Sequence, residues 1–303
     1  MKRQYGRKIY KLSLSGGMTC PNRDGTVGSG GCIFCSGGSG SFSEDRCEDI
    51  RLQLDRAKAR LNGKDKGAGY IAYFQSFTNT YADTGYLRKL FFETVEQDDV
   101  DILSVATRPD CLEDEKIELL CEINRIKPVW VELGFQTSRE DTAKYIRRGY
   151  ENGVFDDAVK RLQRAGIKTI CHMIIGLPGE NGDDAVNTAR YIADLGVWGI
   201  KFHLLHVLRG TDLEKDYAAG KFKCLTMERY TDILLRCIRA IPKDMVIHRM
   251  TGDGDKRELI APLWSGDKKR VLNYINKRLR DENVVQGEER TVENDKAHSD
   301  VEI

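Results

Sequence analysis

The strongest constraint on the fold is an alternation that runs from residue 9 to residue 207. Short apolar or half-apolar runs at 9–14, 70–74, 101–106, 129–135, 169–175 and 199–207 alternate with longer segments at 47–61, 87–95, 113–126, 141–148 with 155–165, and 184–195. The short runs have strand length, and the longer ones repeat their apolar residues at helical spacing. In the first of these, Ile50, Leu52, Leu54, Ala57 and Leu61 form a stripe among charges, and Asn62-Gly63 closes it. Pro109, Pro128, Gly149 and Gly153 punctuate the later units. Strands joined by whole helices pair in parallel, because only a crossover brings the chain back in the same direction. Six such units predict an α/β fold, a partial TIM-like (β/α)6 barrel, and put any chemistry on the loops that follow the strands.

The first of those loops, 15–45, carries the most unusual residues. It reads Cys20-Pro-Asn-Arg-Asp-Gly-Thr-Val-Gly-Ser-Gly-Gly-Cys32-Ile-Phe-Cys35, followed by a glycine and serine run from Ser36 to Ser43. Cys32 and Cys35 are spaced to reach one metal centre, and Cys20 returns across a flexible loop of eleven residues. A closed zinc site and a simple electron-transfer cluster each use four protein ligands, so three thiolates leave a coordination position open. Cys-x-x-Cys alone also occurs in half zinc sites and redox pairs.

The loop resembles that of the radical S-adenosylmethionine (SAM) enzymes, in which three cysteines hold a 4Fe-4S cluster whose fourth iron binds SAM. Their usual spacing is three residues and then two. The long first gap here, with Cys-Pro-Asn-Arg-Asp-Gly-Thr, Gly-Gly-Cys-Ile-Phe-Cys-Ser and Gly-Gly-Ser-Gly, resembles the Elongator-catalytic-subunit-like group, specifically its YhcC/YtqA (MnmL) type. The resemblance implies that Cys20, Cys32 and Cys35 ligate the cluster. It further implies a flavodoxin- or ferredoxin-like electron donor, reductive cleavage of SAM to a 5'-deoxyadenosyl radical, and a tRNA partner. The implied reaction converts the 5-carboxymethylaminomethyl group of wobble uridine to 5-aminomethyl.

It also implies SAM contacts, each with a structural alternative. Gln136 matches a ribose-binding position, and Arg148 an arginine near the SAM carboxylate, although Arg147-Arg148 also reads as a solvated helix end. Gly176 opens Gly176-Leu-Pro-Gly-Glu180, which resembles the turn beside the adenine and is also an ordinary strand-to-helix connection. Thr107 of Thr107-Arg-Pro-Asp110 matches a cofactor-facing position or starts a proline turn. Three departures stand out: Phe74-Gln75-Ser76 replaces a glycine-glycine-glutamate segment, leaving Gln75 or Thr78 with backbone carbonyls for the SAM amino group; His172 stands where aspartate is frequent; and Tyr150 stands where histidine is frequent. No catalytic hydrogen donor is assigned.

With 48 basic and 47 acidic residues, net charge +1, no global field calls for nucleic acid, and any RNA contact must use a local patch. A C-terminal α/β extension, 226–283, supplies one candidate: a helix at 227–241, a strand at 245–250 and a basic helix at 268–282. There Arg249, Lys256, Arg257, Lys268, Lys269, Arg270, Lys277, Arg278 and Arg280 accompany Trp264 and Tyr274. Residues 1–225 form the expected core barrel and 284–303 a disordered tail. Cys47, Cys111, Cys121, Cys171, Cys224 and Cys237 show no second ligand spacing, and nine scattered cysteines suit a reducing cytosol better than a disulfide framework. No apolar run has membrane-span length and the N-terminus lacks a signal-peptide core, so the expectation is a cytoplasmic protein with no membrane partner. His203 and His206 follow the alternation of the sixth strand and are open to substrate contact, though packing is the commoner role of a histidine on a strand. A radical SAM enzyme of small molecules, a non-enzymatic metal-binding module and an iron–sulfur electron carrier remain open at this level.

Overall fold

The structure, a computed structural model, describes residues 5–36, 49–61, 63, 67–252 and 254–290. Cys47, the glycine-serine run beyond Ser36 and the last part of the expected disordered tail lie outside the described residues.

Seven strands form one sheet in the order β1 (Ile9–Leu14), β2 (Gly69–Phe74), β3 (Val100–Thr107), β4 (Val129–Gln136), β5 (Lys168–Ile175), β6 (Gly199–Leu204) and β8 (Val246–Arg249). β1 runs parallel to β2 with Ile9 opposite Gly69 and Leu14 opposite Phe74, and the pairs β2 with β3, β3 with β4, and β6 with β8 are parallel as well. This sequential parallel order is that of the expected partial (β/α)6 barrel. Between the strands lie α1 (Ile50–Ala59), α2 (Thr84–Val95), α3 (Asp114–Asn124), α4 (Glu140–Tyr145), α5 (Asn152–Arg164) and α6 (Gly182–Asp194). Side-chain oxygens start several of them: Asp49 caps α1, Asp83 caps α2, and Asn181 forms a reciprocal capping box with Asp184 on α6.

The described chain divides into two compact units. The first takes residues 1–31, 38–134 and 153–170. Its β2 is buried along its whole length, as a strand covered on both faces must be. Glu132 is 1% exposed there and is held by Lys11 Nζ at 2.9 Å and Ser104 Oγ at 2.8 Å, the partners a buried carboxylate requires. The second unit takes 32–37, 135–152 and 171–303. It adds β7 (Val207–Leu208), α7 (Asp212–Ala218), α8 (Met227–Ala240), β9 (Leu259–Ala261) and α9 (Lys268–Asp281).

The structure departs from the periodicity in three places. The strand expected over 199–207 stops at Leu204, and Val207 instead pairs antiparallel with Ala261 in a separate two-stranded sheet. The helix expected over 141–148 stops at Tyr145, because Arg147 and Gly149 take positive φ of 56° and 81°, which no helix continues. Helix α7, started by the Thr211 hydroxyl accepting from Glu214 N, was not expected. Of the expected tail, residues 284–290 have defined partners: Gln286 donates to the Pro242 and Met245 carbonyls, and Arg290 to Asp194.

Candidate active site

The eleven residues after Cys20 are more ordered than their glycine content suggests. The Cys20 carbonyl accepts from Arg23 N at 2.8 Å and Asp24 N at 3.3 Å, Val27 N donates to Pro21 O, and Gly31 N donates to Asn22 O at 2.7 Å. Asp24 bridges to Ser29, and Thr26 Oγ1 lies 2.8 Å from the Tyr81 hydroxyl. Gly28 is needed for space, since a Cβ there would meet Asn22 Oδ1 at 2.4 Å. The loop is thus a braced turn that fixes the direction of Cys20, a residue of the first unit.

Cys32 and Cys35 belong to the second unit and sit on a tight turn closed by Cys35 N donating to Cys32 O at 2.9 Å. Ile33 anchors that turn. Its N–H donates to Ile146 O, its carbonyl accepts from Leu213 N at 2.9 Å, and its side chain, 4% exposed, packs with Ile146, Leu177, Leu205, Val207 and Leu213. Phe34 is half-buried against the same cluster, and Cys32 and Cys35 are half-exposed. None of these cysteines is in a disulfide. The thiols of Cys111 and Cys237 are instead buried and pushed up to about 12 by desolvation, which keeps them protonated and unsuited as ligands.

The remaining candidates of the first unit lie after β2 and β3. Gln75 is half-buried, and Thr78, 1% exposed, donates its N–H to Thr19 O, one residue before Cys20. Phe77 takes φ of 61°, a backbone conformation a bulky residue adopts only where its surroundings enforce it. Asn79 Nδ2 holds the Ser76 and Ala106 carbonyls. Thr107 is buried, and its hydroxyl lies 2.5 Å from that of Thr80, so its visible role is to brace the loop after β2.

In the second unit, Gln136 ends β4 with φ of 66°. Such strain clusters at functional positions. The cause next door is Arg148, a guanidinium 1% exposed. Nε donates to Tyr150 O, Nη1 to Phe135 O and Thr137 O, and Nη2 to Asn152 Oδ1 and Glu140. Five donor contacts use the whole fork, and they clamp the chain on both sides of Gln136. Arg147 points to Asp212. Gly176 takes φ of 92°, and a Cβ there would meet Leu225 Cδ1 at 2.9 Å, so this glycine serves chain packing within the turn. Glu180 closes the same turn by accepting from the Thr137 hydroxyl at 2.5 Å. Burial raises its pKa, against the lowering effect of the threonine hydroxyls.

His172 of β5 faces His203 of β6 with ring centroids 5.0 Å apart and an interplanar angle of 32°. Together with Gln136, Phe34 and His206 they line a cavity of about 230 Å³. His203 was open to a substrate role in the sequence and Phe34 was not singled out; the signal available was its place inside Cys32-Ile-Phe-Cys35. On the extension, Arg278 pairs with Asp232 and Glu282, and Arg257 with Asp255. The Trp264 indole donates to Leu225 O and packs near Tyr230, so that tryptophan is tied to its own unit. Among the described residues no helix is long and apolar enough to cross a membrane.

The Radical SAM superfamily model matches residues 22–192, and the Radical_SAM C-terminal domain model matches residues 197–281. YtqA of Bacillus subtilis is 44% identical over 95% of this chain and 89% of its own length. The tRNA uridine(34) acetyltransferase of Dehalococcoides mccartyi is 25% identical over 50% of this chain and 33% of its own. Among solved structures, the archaeal Elp3 of Methanocaldococcus infernus superposes with a TM-score of 0.69 at 16% identity, over 92% of this chain and 64% of that one. The first family model alone spans more than half of the 303 residues, the archaeal structure shares the sequential parallel sheet, and the three cysteines stand on the loop after β1: the chain belongs to the radical SAM superfamily, in its Elp3-like group.

Proposed function

We propose that this radical SAM enzyme modifies the wobble uridine of tRNA, converting its 5-carboxymethylaminomethyl group to 5-aminomethyl, with a 4Fe-4S cluster on Cys20, Cys32 and Cys35. The observation that carries the cluster assignment is the Cys32–Cys35 turn, anchored by buried Ile33 while both cysteines stay half-exposed. An all-thiol donor set is what iron–sulfur clusters take. When bound, the cluster and SAM supply a 5'-deoxyadenosyl radical that removes a hydrogen atom from the substrate, the electron coming from a flavodoxin- or ferredoxin-like donor. The chain's own residues position and shield. The braced turn after Cys20 and the anchored turn at Ile33 fix thiol directions, Arg148 fixes the strained carbonyl run around Gln136, and Gln136 is the polar side chain offered to the SAM ribose.

The tRNA assignment is supported by the name of the acetyltransferase relative, which acts on tRNA uridine 34, and by the Elp3-like fold. It is tested by nucleoside mass spectrometry of bulk tRNA from cells with the gene deleted and then complemented by wild type or Cys32→Ala. The expected result is accumulation of 5-carboxymethylaminomethyl uridine on deletion, reversed by wild type alone. An unchanged nucleoside profile would overturn the tRNA substrate and favour a small-molecule one.

A further inference from the structure

We propose that the outer face of α9, where Lys269, Asn273, Asn276, Lys277 and Arg280 stand in one row, binds the backbone of an A-form RNA stem; the identity of that stem as tRNA rests on the wobble-uridine reading above. The row follows from the helix period. Val271 and Ile275 are fully buried, while positions 269, 273, 276, 277 and 280, on the opposite side of the helix, are all exposed. Two contacts hold the helix in that orientation: Asp267 accepts from Arg270 N at 3.0 Å at its start, and Arg278 donates to Asp232 of α8 at 2.7 Å. Packing thus fixes which face meets solvent.

Charge defines the occupant. Arg236, Arg239, Arg257 and Arg278 are each held by a carboxylate, whereas Lys269, Arg270, Lys277 and Arg280 have no carboxylate partner among the described residues. The only acid of the helix is its last residue, Asp281. In a chain of net charge +1, unpaired cations on one helix make a local surplus that attracts anions. Lys269 and Arg280 lie about 16 Å apart along the helix axis, a length that passes several phosphates of a duplex strand. At the start of the helix, Arg270 lines a groove with Lys223, also without a carboxylate partner among the described residues, and with Glu228 as the groove's one carboxylate. Asn273 and Asn276, set between the cations, offer donors and acceptors to ribose 2'-hydroxyls, the groups through which proteins tell RNA from DNA. No apolar side chain stands in the row, whereas an acidic protein partner would call for an apolar interface core. A membrane-surface helix would expose the apolar side that Val271 and Ile275 bury here.

The test uses the full chain, anaerobically reconstituted, and a synthetic anticodon stem-loop RNA titrated over a salt series. The triple variant Lys269→Gln, Lys277→Gln, Arg280→Gln should keep the wild-type iron content and unfolding midpoint, bind the stem-loop about tenfold or more weakly, and show a slope of log affinity against log salt shallower by about two to three. A stem-loop with 2'-O-methyl riboses keeps the A-form and the phosphate charge but loses the hydroxyl donors. Wild type should bind it about tenfold more weakly, the size of one or two lost hydrogen bonds, and Asn273→Ala with Asn276→Ala should remove that difference without changing the salt slope. Unchanged affinity and slope in the triple variant overturn the proposal, and equal wild-type affinity for the two stems overturns the RNA assignment. So does loss of binding to reduced flavodoxin with RNA binding intact, which would give the face to an acidic electron donor. The uridine reading fails separately: an unchanged nucleoside profile in deleted cells, with stem-loop binding still dependent on the three cations, would keep the RNA-binding face and discard that substrate.

Discussion

Arg148 carries a full positive charge at 1% exposure, and most of its acceptors are backbone carbonyls: Phe135, Thr137 and Tyr150. Such an arrangement is retained only when every N–H has a partner, because a buried guanidinium with an open position is costly. Replacing it by methionine fills the volume but removes the guanidinium donors from the Thr137 and Tyr150 carbonyls and one of the two donors from the Phe135 carbonyl, which Thr137 N also reaches, and a buried acceptor that loses its donor costs about 1–3 kcal/mol. Arg148→Met is therefore expected to lower stability by about 3 kcal/mol or more, read from chemical denaturation of the reconstituted protein. If stability were unchanged and only SAM affinity fell, the arginine would belong to the SAM carboxylate and the clamp would be discarded. The family resemblance singles out Arg148 as an arginine near the SAM carboxylate, whereas its visible link to Gln136 runs through backbone atoms on either side of the glutamine. Those carbonyls belong to every residue type and leave no mark in the sequence.

The same limit appears in the turn Cys32-Ile-Phe-Cys35. Its thiols are legible from spacing alone, since two cysteines two residues apart can serve one centre. What holds them is Ile33, and its partners Ile146 and Leu213 are more than a hundred residues away in the chain, beyond any local pattern. Ile33→Ala removes buried methylenes from a packed cluster, a change that costs about 2–5 kcal/mol where the site cannot collapse. Because the lost contacts anchor the turn, the expected result exceeds a stability loss: iron and sulfide content after anaerobic reconstitution should fall well below wild type while Cys20, Cys32 and Cys35 are all present. Full iron content in a destabilised Ile33→Ala protein would show that the thiols need no such anchor. The strand-to-helix turn from Gly176 to Glu180 reads similarly. Its glycine was visible as a turn former, whereas the Leu225 side chain that excludes a Cβ was not.

At the scale of the chain, parallel alternation was readable because strand and helix periods differ and repeat, and six strands fall where the periodicity puts them. Short elements escaped it: α7 spans seven residues and β7 two, too few to establish a period. The extra strand over 245–250 was visible as a strand, yet its partner was not. Val246 lies opposite Gly199 and Ile247 opposite Ile200, which makes β8 the seventh strand of the main sheet. Gly199 accommodates it closely, since a Cβ there would meet the His248 ring at 2.7 Å. Helix α8 buries Tyr230, Ile233, Leu234, Cys237 and Ile238, and Arg236 on it reaches Asp183 of α6. A fragment ending at residue 225, the expected end of the core barrel, would thus open the edge of β6 and uncover the face of α6 that α8 protects. An exposed edge strand beside an uncovered apolar face is a template for aggregation. Residues 1–225 expressed alone should be insoluble or oligomeric and bind hydrophobic dye, in contrast to the full chain measured alongside. A soluble, monomeric fragment with cooperative unfolding would instead make the extension a separable domain, and its paired arginines would then have to be explained by a partner outside the barrel.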